Sequence, residues 1–191
     1  LGYIENLFGK NHPNYGLTLS RLAGIYMSKE EFHTALSFAQ KALKNLKSFY
    51  QETGNPTLYI NEITQLALIF HRSGESSIAE DYGLLALKMY DIHRKDFPQD
   101  LSWEYNFLLE VGLNLSKEEN LRSYYDSIII YNQRNDQQLQ NILTRSYLAE
   151  ILLLEGNIDE AINLSKDQIK QLKAVNASPR ELNFIRNTLV T

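Results

Sequence analysis

The chain has no cysteine, four prolines, two methionines and one tryptophan among its 191 residues. Without cysteine there is no disulfide and no thiolate metal site. No apolar run approaches the roughly 20 residues that a membrane-spanning helix needs, and no signal peptide opens the chain. Charge of one sign is missing as well. Lys and Arg total 19 against 23 Asp and Glu, for a net charge of −4 and a pI near 5.6, and the two signs are interspersed. Nucleic acid and anionic membranes require a clustered basic face, so neither is the expected partner. Period-two alternation is absent too. The one β-branched run, Ile128-Ile129-Ile130, sits inside a helical stripe, so no strand is expected.

What the chain does have is a repeating helical pair. With 43% hydrophobic residues it is rich enough to bury a core. In the stretch Leu148–Ala161, LAEILLLEGNIDEA, Leu148, Ala149 and Leu152 fall on one helical face. Glu155-Gly156-Asn157 then breaks the helix, and Ile158 and Ala161 open a second one. Two helices this short cannot hide their apolar stripes alone, so the unit must stack on copies of itself. Leu22-Ala23-Tyr26 with Phe32 and Ala35 is one copy; Leu66-Ala67-Phe70 with Gly74 and Ala79 is another. The two alanines are spaced alike in all three, from 23 to 35, 67 to 79 and 149 to 161. A degenerate copy places Leu108, Val111, Gly112 and Leu115 on its first helix and Leu121, Tyr124, Ile128 and Tyr131 on its second, with Tyr124 in the alanine slot. In the fourth copy Arg145 replaces an apolar residue.

Prolines keep the same time: Pro13, Pro56 and Pro98 each stand where a first helix starts, and Pro179 follows after about two further periods. The expected organisation is one array over residues 1–191. It begins with the end of a preceding repeat at 1–10 and continues with repeats at 13–50, 56–95, 99–133 and 138–174. A fifth starts at 179–191. Opening at Leu1 and stopping at Thr191 within a helical stretch, the chain reads as a piece of a longer protein.

The residues Gly9, His12-Pro13, Leu19, Leu22-Ala23, Tyr26, Phe32, Ala35 and Ala42-Leu43 resemble a tetratricopeptide repeat (TPR), as does Gly156-Asn157-Ile158-Asp159-Glu160-Ala161. The long period is similar to that of kinesin light chains and many bacterial multidomain proteins. The resemblance covers nearly the whole chain and implies an all-α superhelix of about four hairpins. It also implies a concave groove, lined by the first helix of each pair, that binds peptides or partner helices. The Lys/Asn/Arg set with which some relatives clamp C-terminal carboxylates is not seen here.

Catalytic hardware is not legible. His12, His33, His71 and His93 form no pair with metal spacing, and HExxH, GxSxG and Gly-rich phosphate loops are absent. No metal, no cofactor and no enzymatic activity are expected. The acid pairs Glu30-Glu31, Glu118-Glu119 and Asp159-Glu160 fall at helix starts, where carboxylates favour the dipole. The N-x-S triplets at Asn114, Asn163 and Asn176 carry no weight.

The groove is then where function is expected. The first-helix faces turned away from the stripes carry Ser20, Gly24 and Met27, then Asn61, Thr64, Gln65, Leu68 and His71. Asn106, Leu109, Glu110 and Leu113 follow, then Ser146, Tyr147 and Glu150. Asn61 and Asn106 hold the same place in consecutive repeats, where asparagines can grip an extended backbone with paired donor and acceptor. Leu68, Leu109, Leu113 and Leu153 offer an apolar strip instead. The expected function is a non-catalytic, cytoplasmic scaffold module that binds a protein or peptide. The alternative is an array that regulates an attached signalling or protease domain in cis. End-to-end self-association is also expected, through Tyr3, Leu7 and Phe8 at one end and Leu182, Ile185 and Leu189 at the other.

Overall fold

The computed structural model describes residues 2–93, 102–115, 120–134, 138–176 and 178. Among these the chain forms nine helices and no strand. They are α1 (Gly2–Phe8), α2 (Pro13–Ser28), α3 (Phe32–Thr53), α4 (Thr57–Arg72), α5 (Ser76–His93), α6 (Ser102–Asn114), α7 (Leu121–Arg134), α8 (Gln138–Leu154) and α9 (Ile158–Ala174). The chain divides into two units, residues 1–104 and 105–191. Pro98, Glu118-Glu119, Asn135-Asp136, Pro179, Leu182, Ile185 and Leu189 lie outside the described residues.

Local chemistry sets the helix ends. Pro13 occupies the first position of α2, and Nδ1 of His12 accepts the Asn14 N–H at 3.2 Å. The Phe8 ring stacks on His12 at 4.8 Å, tying α1 to that cap. Three of the turns inside hairpins share one hydrogen-bond pattern. The N–H groups of Glu31, Glu75 and Asn157 donate back five residues, to the carbonyls of Tyr26, Phe70 and Leu152, at 3.0, 2.8 and 2.8 Å. This closure needs a left-handed residue just before the donor. Gly74 (φ 87°) and Gly156 (φ 79°) adopt it freely, while Glu30 adopts it at φ 62° against its own Cβ. The Glu30-Glu31 pair therefore differs from its expected role as a helix-starting acid pair. Glu30 belongs to the turn, and Glu31 makes no side-chain cap bond.

In unit 1, α2 packs on α3, α4 on α5, α3 on α4 and α2 on α4. Ala23, Ala35, Ala39, Leu66 and Ile69 form one buried cluster; Tyr59, Ile60, Ile63, Ala86 and Tyr90 form another. Gly16 lets α2 and α3 touch, since a Cβ there would collide with Oδ1 of Asn45 and with Leu46. Asn45 in turn donates from Nδ2 to the Lys10 carbonyl at 2.6 Å.

In unit 2, Leu109, Leu121, Ile128 and Ile151 make the core shared by α6, α7 and α8. Ala149, Leu152 and Ala161 fill the seam of the α8–α9 hairpin. The Tyr124 N–H donates to the Asn120 carbonyl at 3.0 Å, as Ala35, Ala79 and Ala161 donate to Glu31, Glu75 and Asn157. Tyr124 thus stands in the alanine slot. Arg145 bonds Gln171 at 3.2 Å and pairs with Asp167 at 3.4 Å on α9, which accounts for a charge at an apolar repeat position. Arg122 grips Glu155 with two bonds of 2.7 and 2.6 Å, fixing the start of α7 to the turn after α8.

Candidate peptide-binding faces

In unit 1 the free face of α4 bears Asn61, which is exposed, and Leu68 and His71, which are half-buried. Gln65 is half-buried and engaged with α2 at both ends of its amide. Ser20 Oγ donates to Oε1 at 2.5 Å, and Nε2 donates to the Ser20 carbonyl at 2.9 Å. Gly24 faces that amide, and a Cβ there would sit 3.5 Å from Nε2, at ordinary contact distance. Thr64 is half-buried, with a hydroxyl that has no hydrogen-bond partner. His71 Nδ1 lies 3.5 Å from Ser76 Oγ across the α4–α5 turn.

Glu62 is a residue the sequence reading missed. Only 2% exposed, it has one carboxylate oxygen, Oε1, without a partner. Burial pushes its pKa up to about 7, with the Ser20 hydroxyl pulling the other way. One signal was available: Glu62 is the single acid in α4, flanked by Ile60 and Ile63 of the buried stripe.

In unit 2, Asn106, Tyr147 and Glu150 are half-buried and Glu110 is exposed. Leu109 departs from the expected free face. It is 0% exposed, inside the cluster with Leu121, Ile128 and Ile151. Its position is where one first helix meets the next, and an apolar side chain there is drawn into the contact. Ser146 is likewise buried and donates to the Leu143 carbonyl at 2.8 Å.

Beside these residues lies a pocket of about 330 Å³, lined by Leu113, Asn114, Glu150, Leu153 and Leu154. Burial, and then the charges of Glu110 and Glu150, push the Tyr147 phenol up to about 12, so its O–H stays protonated as a donor. Burial first and Glu110 second raise Glu150 above the usual carboxylate range.

Among the described residues no group of three or more His, Asp or Glu side chains is arranged to hold a metal. His12 caps α2, His33 is exposed, and the His93 ring lies 2.9 Å from the Tyr50 hydroxyl between α3 and α5. No helix among these residues is long and apolar enough to cross a membrane.

No protein-family model matches the chain. It is similar to RxLR effector protein SFI4 of Phytophthora infestans (strain T30-4), with 26% identity over 174 residues. That match covers 84% of this chain and 48% of the relative, so the chain spans about half the length of the curated relative it matches. Among solved structures, BtubC (BKLC) from P. vanneervenii superposes with a TM-score of 0.73 at 21% identity, over 90% of this chain and 68% of that one. A Podosopora anserina protein with nearly identical, kinesin-light-chain-type TPR-like repeats superposes with a TM-score of 0.70 at 12% identity, over 93% and 85%. A variant of that protein reaches 0.73. With helical hairpins closed by a shared turn and solved neighbours of this kind, the chain has the fold of the TPR-like repeat proteins.

Proposed function

We propose that the chain is a non-catalytic interaction module, working in the cytoplasm, that holds a protein or peptide partner on the free faces of its first helices. The observation that carries this reading is the character of those faces. On α4, exposed Asn61 and half-buried His71 are polar and stand beside the half-buried, apolar Leu68; in unit 2, Glu110 is exposed, Tyr147 is half-buried and amphipathic, and half-buried Glu150 lines the pocket. Such side chains tolerate water when empty and still pair with a backbone or a side chain when occupied. The TPR-like fold supports the reading, since stacked hairpins supply extended contact surface. So does the name of the matched relative, an effector protein. Self-association through the exposed Tyr3, Leu7 and Phe8 of α1 belongs to the same reading.

The test is site-specific photo-crosslinking in lysate of the parent organism. A crosslinking residue is placed at Asn61 or Leu153 on first helices, or at Lys44 or Lys166 on exposed faces of second helices. Specific adducts are expected from the first pair only. Adducts confined to Lys44 and Lys166 would overturn the assignment. A second reading, regulation of an attached domain in cis, draws on the chain's matching 48% of its relative's length. It predicts that deleting residues 1–191 from the parent protein changes the activity of whatever domain is attached.

A further inference from the structure

Independently of the first-helix faces, we propose that the outward face of α5 pairs with the same face of a second copy of this chain, the two helices running antiparallel. α5 buries Ala79, Gly83, Ala86 and Tyr90. On its opposite side Ile78, Leu84 and Leu85 are exposed at 39%, 41% and 39%, and Ile92, at 61%, continues the line seven residues beyond Leu85. Residues seven apart stay on one face of a helix, the spacing by which paired helices bury a shared seam. The repeat does not call for these apolar side chains. Counted from the alanine slot, the positions of Ile78, Leu84 and Leu85 are held by Thr34, Gln40 and Lys41 in α3, and by Glu160, Lys166 and Asp167 in α9. A hairpin of this kind therefore closes equally well with a polar outward face, and an exposed aliphatic cluster in its place marks a surface of association.

Charge selects the occupant. Asp81 and Lys88 are exposed on the same side of α5, and neither has a hydrogen bond or ion pair among the described residues. Asp81 lies as far before the Leu84–Leu85 peptide bond as Lys88 lies after it. A two-fold axis through that bond sets Asp81 of each copy beside Lys88 of the other, so two opposite-charge pairs flank an apolar centre. A parallel pairing would instead hold like charges level with each other. α7 carries Ile129 and Ile130 at the leucine positions, but Gln133 stands where α5 has Lys88, so it lacks the reciprocal pair. One helix face buries less than the roughly 800 Å² per partner of a standard interface. The dimer is therefore a weak one, formed at concentrations on the order of 10–100 μM.

Sedimentation velocity on the full 191-residue chain should show a monomer–dimer equilibrium in that concentration range, weaker as salt rises. Lys88→Asp should raise the dissociation constant roughly tenfold at low salt. Adding Asp81→Lys to it should bring the constant back to within about threefold, because the exchanged charges are again complementary. Both positions are exposed, so the melting temperature should not move. Orientation is read by disulfide trapping, which the lack of native cysteine makes clean. Chains carrying Asp81→Cys should crosslink to chains carrying Lys88→Cys, and neither should crosslink to itself. A monomer at every concentration, no effect of Lys88→Asp, or self-crosslinking in preference to the mixed pair would overturn the proposal. So would association that Leu7→Asp on α1 abolishes and Leu85→Asp on α5 leaves intact, since that is end-to-end contact. Each of these results leaves partner binding at the first-helix faces untouched.

Discussion

In unit 1, α2 and α4 meet through Ser20, Glu62 and Gln65; in unit 2, α6 and α8 meet through Leu109 and Ile151. Both are contacts between first helices of successive repeats, yet one is closed by polar groups and the other by apolar ones. The polar seam is directional. Gln65 can bond Ser20 at both ends of its amide in one orientation only, and this fixes α4 against α2. The same cluster leaves a Glu62 oxygen without a partner, so the specificity carries a desolvation cost. The apolar seam has no such directionality, and beside it Glu150 lines the pocket with Glu110 acting on it as a like charge. A repeat can thus keep its helix geometry while its seam decides which polar groups remain for a ligand.

If the unit 2 seam is core, Leu109→Ala removes a fully buried side chain and should cost about 2–5 kcal/mol in urea unfolding. Gln65→Ala in unit 1 should cost about 1 kcal/mol. Equal losses would erase the distinction between the seams.

The polar seam should also make stability depend on pH. The folded-state pKa of Glu62, about 7, exceeds the ordinary carboxylate value of 4.5. Between those values the unfolded chain gives up a proton that the folded chain keeps, so stability falls as pH rises. The contribution is fully present below about pH 4.5 and lost through about pH 7, a change on the order of 3 kcal/mol. Glu62→Gln should flatten that part of the profile, as read from urea midpoints across the range. A slope unchanged in the variant would mean that other groups carry it.

The hairpin seams extend the comparison. Alanine meets alanine between α8 and α9, whereas glycine meets leucine between α6 and α7, where a Cβ on Gly112 would lie 2.5 Å from Cδ2 of Leu121. Where leucine fills the seam, the residue opposite has no Cβ to meet it. Gly112→Ala should cost about 1–3 kcal/mol, and combining it with Leu121→Ala should cost less than the sum of the single changes. Strict additivity would show that the two side chains do not share the gap.

The smallest effect should come from the turns. Glu30→Gly relieves a left-handed residue that Gly74 and Gly156 already handle, and should raise stability by about 0.4–1 kcal/mol. Gly156→Ala should lower it by a similar or larger amount, a difference visible in melting temperature.

Much of the fold was legible because its causes are local. The Leu-Ala stripes, Pro13 at a helix start, Gly74 and Gly156 in turns and the alanine pairs twelve apart all follow from helical periodicity and backbone sterics. Leu109 was not legible because on its own helix it is no more core-facing than Ser20, Thr64 or Ser146, its counterparts in the other repeats. Only the approach of the next first helix decides which of these is buried. The tie of Gln65 to α2 was not legible for the same reason: its bonds run to Ser20, forty-five positions earlier.

By itself, then, the sequence determined the helical pairs, their turns and the small residues at hairpin contacts, since each rests on neighbours within a few turns of helix. Tertiary structure alone decided that Glu62 is buried with a raised pKa, that Gln65 is tied to α2, and that Glu150 stands at a pocket between two helix ends. Those outcomes depend on how one hairpin leans on the next, a long-range packing relation with no period in the chain to mark it.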